Sequence, residues 1–196
     1  MVSKAHIGRF GRILVGSALV STSALAQDSQ AVTLLASADR VCSISAPVIG
    51  TGPVENFVVP TGQVFVVQQL AETTTLTTRA ASLTLNLDAM CNGLHQITVS
   101  SDGSGLWLVG EGSDAEGFGT AVPFNLVLDW ADEVLPILAD GNSQQARQWP
   151  LIVERPNAGS LELRFEIMAG ATNAGQGAPL VAGVYSDVIT LKLEAQ

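Results

Sequence analysis

The sequence predicts an all-β protein, built as a β-sandwich. Three observations carry that reading. Several stretches alternate apolar and polar residues with period two, the mark of antiparallel strands with one face in a core and one in water. Clusters of Gly, Pro, Asn, Asp and Ser separate them, as turns should. The one stretch of helical composition, Trp130 to Ala139, contains Pro136, which limits a helix there to about a turn.

Residues 1–26 read as a secretory signal peptide. Lys4, Arg9 and Arg12 form a basic start, Ile13 to Val20 is apolar, and Ala24-Leu25-Ala26 is an A-x-A cleavage site before Gln27. The apolar stretch is too short to span a bilayer, and we expect no membrane span in the mature chain. No cysteine follows the cleavage site, so a lipid anchor is not expected. The route implied is export through the periplasm of a bacterial envelope.

Strands follow in order. Val32 to Ala38 comes first, then Phe57 to Val59 and Gln63 to Leu70. Leu83, Leu85 and Leu87 alternate with Thr84, Asn86 and Asp88. Gln96 to Ser100 and Leu106 to Val109 are next. Phe124, Leu126, Leu128 and Trp130 form one face of a further strand, as do Leu161, Leu163, Phe165 and Ile167. Ile189, Leu191 and Leu193 form the last, and we expect no strand after it. Turn clusters lie at 50–53, 102–105, 110–119 and 169–179. About eight short strands with turns between suggest a sandwich.

Three of the nine Lys and Arg lie in the signal and none of the acids does. The mature chain of about 170 residues therefore carries six cations against eighteen acids, net −12. That argues against nucleic acid and anionic membrane surfaces, which select basic patches. Cys42 and Cys91 are both mature, and two cysteines in an oxidising compartment most simply pair. Metal binding is the lesser alternative, since there is no C-x-x-C. His95, the one mature histidine, reads as a surface or edge residue.

No nucleophile elbow, zinc motif, P-loop or dinucleotide fingerprint is present, so we expect neither an enzyme nor a cofactor. The loop Glu111-Gly-Ser-Asp114-Ala-Glu116 offers three hard carboxylate ligands but lacks the spacing of a calcium loop. Trp107, Trp130 and Trp149 would stack on sugars if exposed. Trp107 and Trp130 lie in strand-like runs that favour the core.

Two stretches carry a resemblance. One is Leu83-Thr-Leu-Asn-Leu-Asp-Ala-Met-Cys91-Asn-Gly-Leu-His-Gln-Ile-Thr-Val-Ser-Ser-Asp-Gly103. The other is Ala182-Gly-Val-Tyr185-Ser-Asp187-Val-Ile-Thr-Leu-Lys-Leu193. Together they resemble the spore coat protein U domain family, the pilins of archaic chaperone–usher fimbriae. In that family a cysteine ends one strand, and Gly-x-Tyr-x-Asp, here Gly183, Tyr185 and Asp187, opens the last. Members often carry a Phe-Gly segment after the first cysteine, where this chain has Val54-Glu-Asn-Phe57-Val-Val-Pro60.

The resemblance implies an incomplete immunoglobulin-like, pilin-type sandwich over residues 41–196, with a groove for a donor strand. Residues 27–40 would be the donor segment, with Val32, Leu34, Ala36 and Ala38 on one face at period two. Ile189, Leu191 and Leu193 would continue the C-terminal strand motif of Gly183, Tyr185 and Asp187. Partners implied are neighbouring pilin subunits, a periplasmic chaperone and an outer-membrane usher, in a surface fimbria for adhesion or biofilm formation. The alternative is a secreted or periplasmic ligand-binding module, for example for carbohydrate, with a complete sandwich and exposed tryptophans.

Overall fold

The computed structural model describes residues 34–58, 63–110 and 116–196. The expected signal peptide, Val32 and acidic loop residues 111–115 lie outside the described residues. The fold is that of Ala38–Gln196, a compact unit separate from Met1–Ser37. No helix among the described residues is long and apolar enough to cross a membrane.

The chain is all-β. Strands β1 (Cys42–Ile44), β2 (Val48–Ile49), β3 (Phe57–Val58) and β4 (Val66–Val67) are short. Then come β5 (Ala81–Cys91), β6 (His95–Ser101), β7 (Leu106–Leu108), β8 (Ala121–Val122), β9 (Phe124–Trp130) and β10 (Glu133–Ala139). The last are β11 (Arg147–Val153), β12 (Asn157–Ile167), β13 (Tyr185–Ser186) and β14 (Ile189–Ala195). The larger sheet runs β1-β5-β12-β9-β10, with β2 also on β5; the facing sheet runs β11-β6-β14. All pairings between strands are antiparallel.

The period-two faces make the core. Leu83, Leu85 and Leu87 of β5 and Leu161 and Leu163 of β12 point inward with Phe124, Leu126, Leu128 and Trp130 of β9. Ile97 and Val99 of β6 meet them from the other sheet. Each such side chain, fully buried, contributes about 1.5–3 kcal/mol. The outer face is polar: Arg164 of β12 pairs with Glu162 at 3.0 Å and Asp129 of β9 at 3.5 Å.

Several expectations are corrected. The helical turn in Trp130 to Ala139 is a β-hairpin instead. Ala131 and Asp132 take φ of 58° and 63°, the double positive φ that a tight two-residue hairpin turn requires. Pro136 is accommodated because β10 is an edge strand. Residues 34–38 belong to no strand, and Leu34 and Leu35 are 90% and 93% exposed. Gln63 to Leu70 yields only the two residues of β4. Arg147–Val153, absent from the sequence reading, is a full strand.

Cys42 and Cys91 form a disulfide and are direct register partners in β1 and β5. The bond fixes the first edge strand to the largest sheet.

Candidate functional site

The two sides of the sandwich differ. On one side lie the edge strands β10 and β11, with a proline in the middle of each, Pro136 and Pro150. The two-residue turn makes Trp130 and Glu133 a hydrogen-bonded pair, so Pro136 falls where the backbone faces outward, and it has no N–H to donate. Prolines on an edge discourage pairing with another strand.

On the other side lies β14, whose sequence Ile189-Thr-Leu-Lys-Leu-Glu-Ala195 holds no proline. Among the described residues it pairs only with β6. Asp102 N–H donates to the Val188 carbonyl and Gln196 N–H to the Leu94 carbonyl, which sets the parity of the ladder. Even-numbered residues bond to β6. Ile189, Leu191, Leu193 and Ala195 therefore turn their backbone donors and acceptors to the open edge. β1 comes near β14 but pairs with β5.

The same residues are short of cover. Leu191 and Leu193 are register partners of Val99 and Ile97, which are fully buried, yet they and Ile189 are only half-buried. In β1, which comes near β14, Ile44 is half-buried too, as are Ile49 of β2 and Phe57 of β3 along β5. Phe57 packs edge-on against Phe165 at 5.7 Å between centroids. Asn56 holds that segment. At φ 57° its amide accepts from Gln69 N–H at 3.0 Å and donates to the carbonyls of Gln69 (2.8 Å) and Ala80 (3.1 Å). The seam between β14 and β1 thus offers, among the described residues, an unpaired backbone edge above half-covered apolar side chains.

Gly183, Tyr185 and Asp187 fix the start of β14. Asp187 accepts from Ser101 Oγ–H at 2.5 Å, Gly103 N–H at 2.8 Å and Val188 N–H at 2.8 Å. Its carboxylate thereby joins the chain just before β14 to the turn after β6. The Tyr185 hydroxyl lies between the carbonyls of Val181 (2.7 Å) and Gly119 (3.0 Å). Burial pushes its phenol up, with the Val181 bond opposing. A Cβ on Gly183 would stand 2.3 Å from Leu108 Cδ1. The motif does not itself open the last strand. Tyr185–Ser186 is β13, paired with β7, and β14 begins at Ile189.

No family model matches the chain, and no curated protein or solved structure matches it either.

His95 is buried, not a surface or edge residue. Its Nε2 accepts from Trp130 Nε1–H at 2.9 Å, which leaves Nδ1–H to donate to the Gly93 carbonyl at 2.8 Å. It serves as the polar partner a buried tryptophan requires. Trp130 is in the core, while Trp107 and Trp149 are half-buried, so the tryptophans form no exposed sugar-stacking cluster. Trp107 Nε1–H donates to the Gly103 carbonyl at 2.7 Å. Of the acidic loop, Glu116 is described and exposed. Leu34, Ala36 and Ala38 are exposed and carry no strand.

Proposed function

We propose that this chain is a structural subunit of a surface fimbria, exported through the periplasm and assembled by strand exchange in the chaperone–usher manner. The observation that carries the reading is the asymmetry of the edges. β10 and β11 are blunted by proline, while β14 presents unblocked donors and acceptors above half-buried Ile189, Leu191 and Leu193. Natural sandwiches protect their edges. An unprotected one suits addition of an extended strand, with main-chain bonds for affinity and alternate side chains for specificity.

The occupant in this reading is residues 31–38 of a second copy. Leu34, Ala36 and Ala38 share one phase with Val32, and a strand of that phase supplies the apolar face the seam lacks. A chaperone covers the edge before assembly, and the usher exchanges it for the next subunit. Adhesion or biofilm formation is the role of the resulting fibre.

Expression of the mature chain alone tests this. The expected product is self-associated or aggregation-prone, and a synthetic Gln30–Ala38 peptide should raise its unfolding temperature. A cooperative monomer indifferent to the peptide would favour a self-contained binding module.

A further inference from the structure

Asp39 to Cys42 are fastened to the turn between β5 and β6. Asn92 Oδ1 accepts from Val41 N–H at 2.8 Å, and Asn92 Nδ2 donates to the Asp39 carbonyl at 2.8 Å. The Asn92 N–H donates to the Val41 carbonyl at 3.2 Å. Arg40 passes over Gly93, where a Cβ would stand 3.6 Å from its Cγ, and Nη1 donates to the main-chain oxygen of Gln196. Cys42, two residues after Arg40, is bonded to Cys91. Just before this segment, Leu34 and Leu35 are almost fully exposed.

The chemistry is selective. Asn carries an acceptor and a donor on one planar group, and here they meet an N–H and a C=O two residues apart. Aspartate has the acceptor but no donor. Arg40 reaches the residue directly after β14.

We infer that Asn92 and Arg40 form a latch that fixes where the N-terminal extension leaves the sandwich and ties that point to the far end of β14. The consequence for a fibre rests on the function proposed above. The extension and β14 are then a subunit's two attachments, and the latch couples them, stiffening the joint.

Trypsin cleavage of the Arg40–Val41 bond, in the intact oxidised mature chain, reads the latch without any fibre. Rates are normalised to the denatured chain. Wild type should be cut slowly, and Asn92→Ala about tenfold faster, as loss of two side-chain hydrogen bonds implies. Asn92→Asp should fall close to Asn92→Ala. Asn142→Ala, on another turn, should match wild type. Arg40→Lys keeps a cleavable bond, shortens the reach to Gln196 and should also be cut faster. It serves as the test if Asn92→Ala does not fold. Wild type cut as fast as the denatured chain, or no acceleration in the variants, overturns the latch. In electron micrographs, Asn92→Ala fibres should form in normal yield and bend more; unchanged stiffness overturns the coupling. Wild-type chains that form no fibre would remove the strand-exchange reading, with the latch still judged by proteolysis.

Discussion

Burial raises the Tyr185 phenol above its usual 10.0. A group with a raised folded pKa contributes stability that is full below the unfolded value and is lost as pH rises through the folded one. This contribution should therefore be constant up to about pH 10 and fall above it. Urea midpoints measured at rising alkaline pH should show that decline, and Tyr185→Phe should remove it while costing about 1 kcal/mol at neutral pH. Equal alkaline slopes in both proteins would refute the assignment. Gly105 makes a second case. Its φ is 152°, and a Cβ would stand 2.8 Å from Gly141 Cα, backbone against backbone. Gly105→Ala should cost about 3 kcal/mol in urea unfolding. Asp187→Ala strips three donors of a charged acceptor and should cost about 2–3 kcal/mol. A signal for the burial of His95 is present in the sequence. The histidine shares phase with Ile97 and Val99, and Trp130 needed a buried acceptor.

At the scale of elements, the disulfide and the prolines do the positioning. Cys42–Cys91 closes a separation of 49 residues. Replacing both cysteines by serine should cost about 4 kcal/mol in the chain-entropy model, read from denaturant unfolding with and without reductant. A loss under 1 kcal/mol would mean that β1 is held by its other contacts. The long alternating strands are legible in sequence because one face of each packs toward the core: Leu83 to Leu87, Phe124 to Trp130, Leu161 to Ile167 and Ile189 to Leu193 all form strands. Short and edge elements are not. β11 contains Pro150, which reads as a breaker in sequence but is tolerated at an edge. Ala131-Asp132 lacks the glycine that usually announces a tight hairpin, so Trp130 to Ala139 looked helical. The half-buried state of Ile189, Leu191 and Leu193 was not legible at all. Their alternation matches that of any core strand; what distinguishes them is that β14 has, among the described residues, a paired neighbour on one side only.

At the scale of the whole molecule, the proposed assembly turns on the edge of β14 away from β6. The phase of the extension gives one handle. Leu34→Asp would place a carboxylate in a dry seam, where an unpaired charge costs several kcal/mol, while Thr33→Asp leaves it on the outer face. Assembly should fail for the first and persist for the second, and neither change should prevent the disulfide. The most direct measurement is hydrogen exchange of residues 189–195 in the mature chain, with and without the Gln30–Ala38 peptide. The backbone amides of Ile189, Leu191, Leu193 and Ala195 face the edge, so their exchange should slow on adding the peptide and stay fast with its Leu34→Asp version. Unchanged exchange at those four amides under saturating peptide would contradict strand addition at β14.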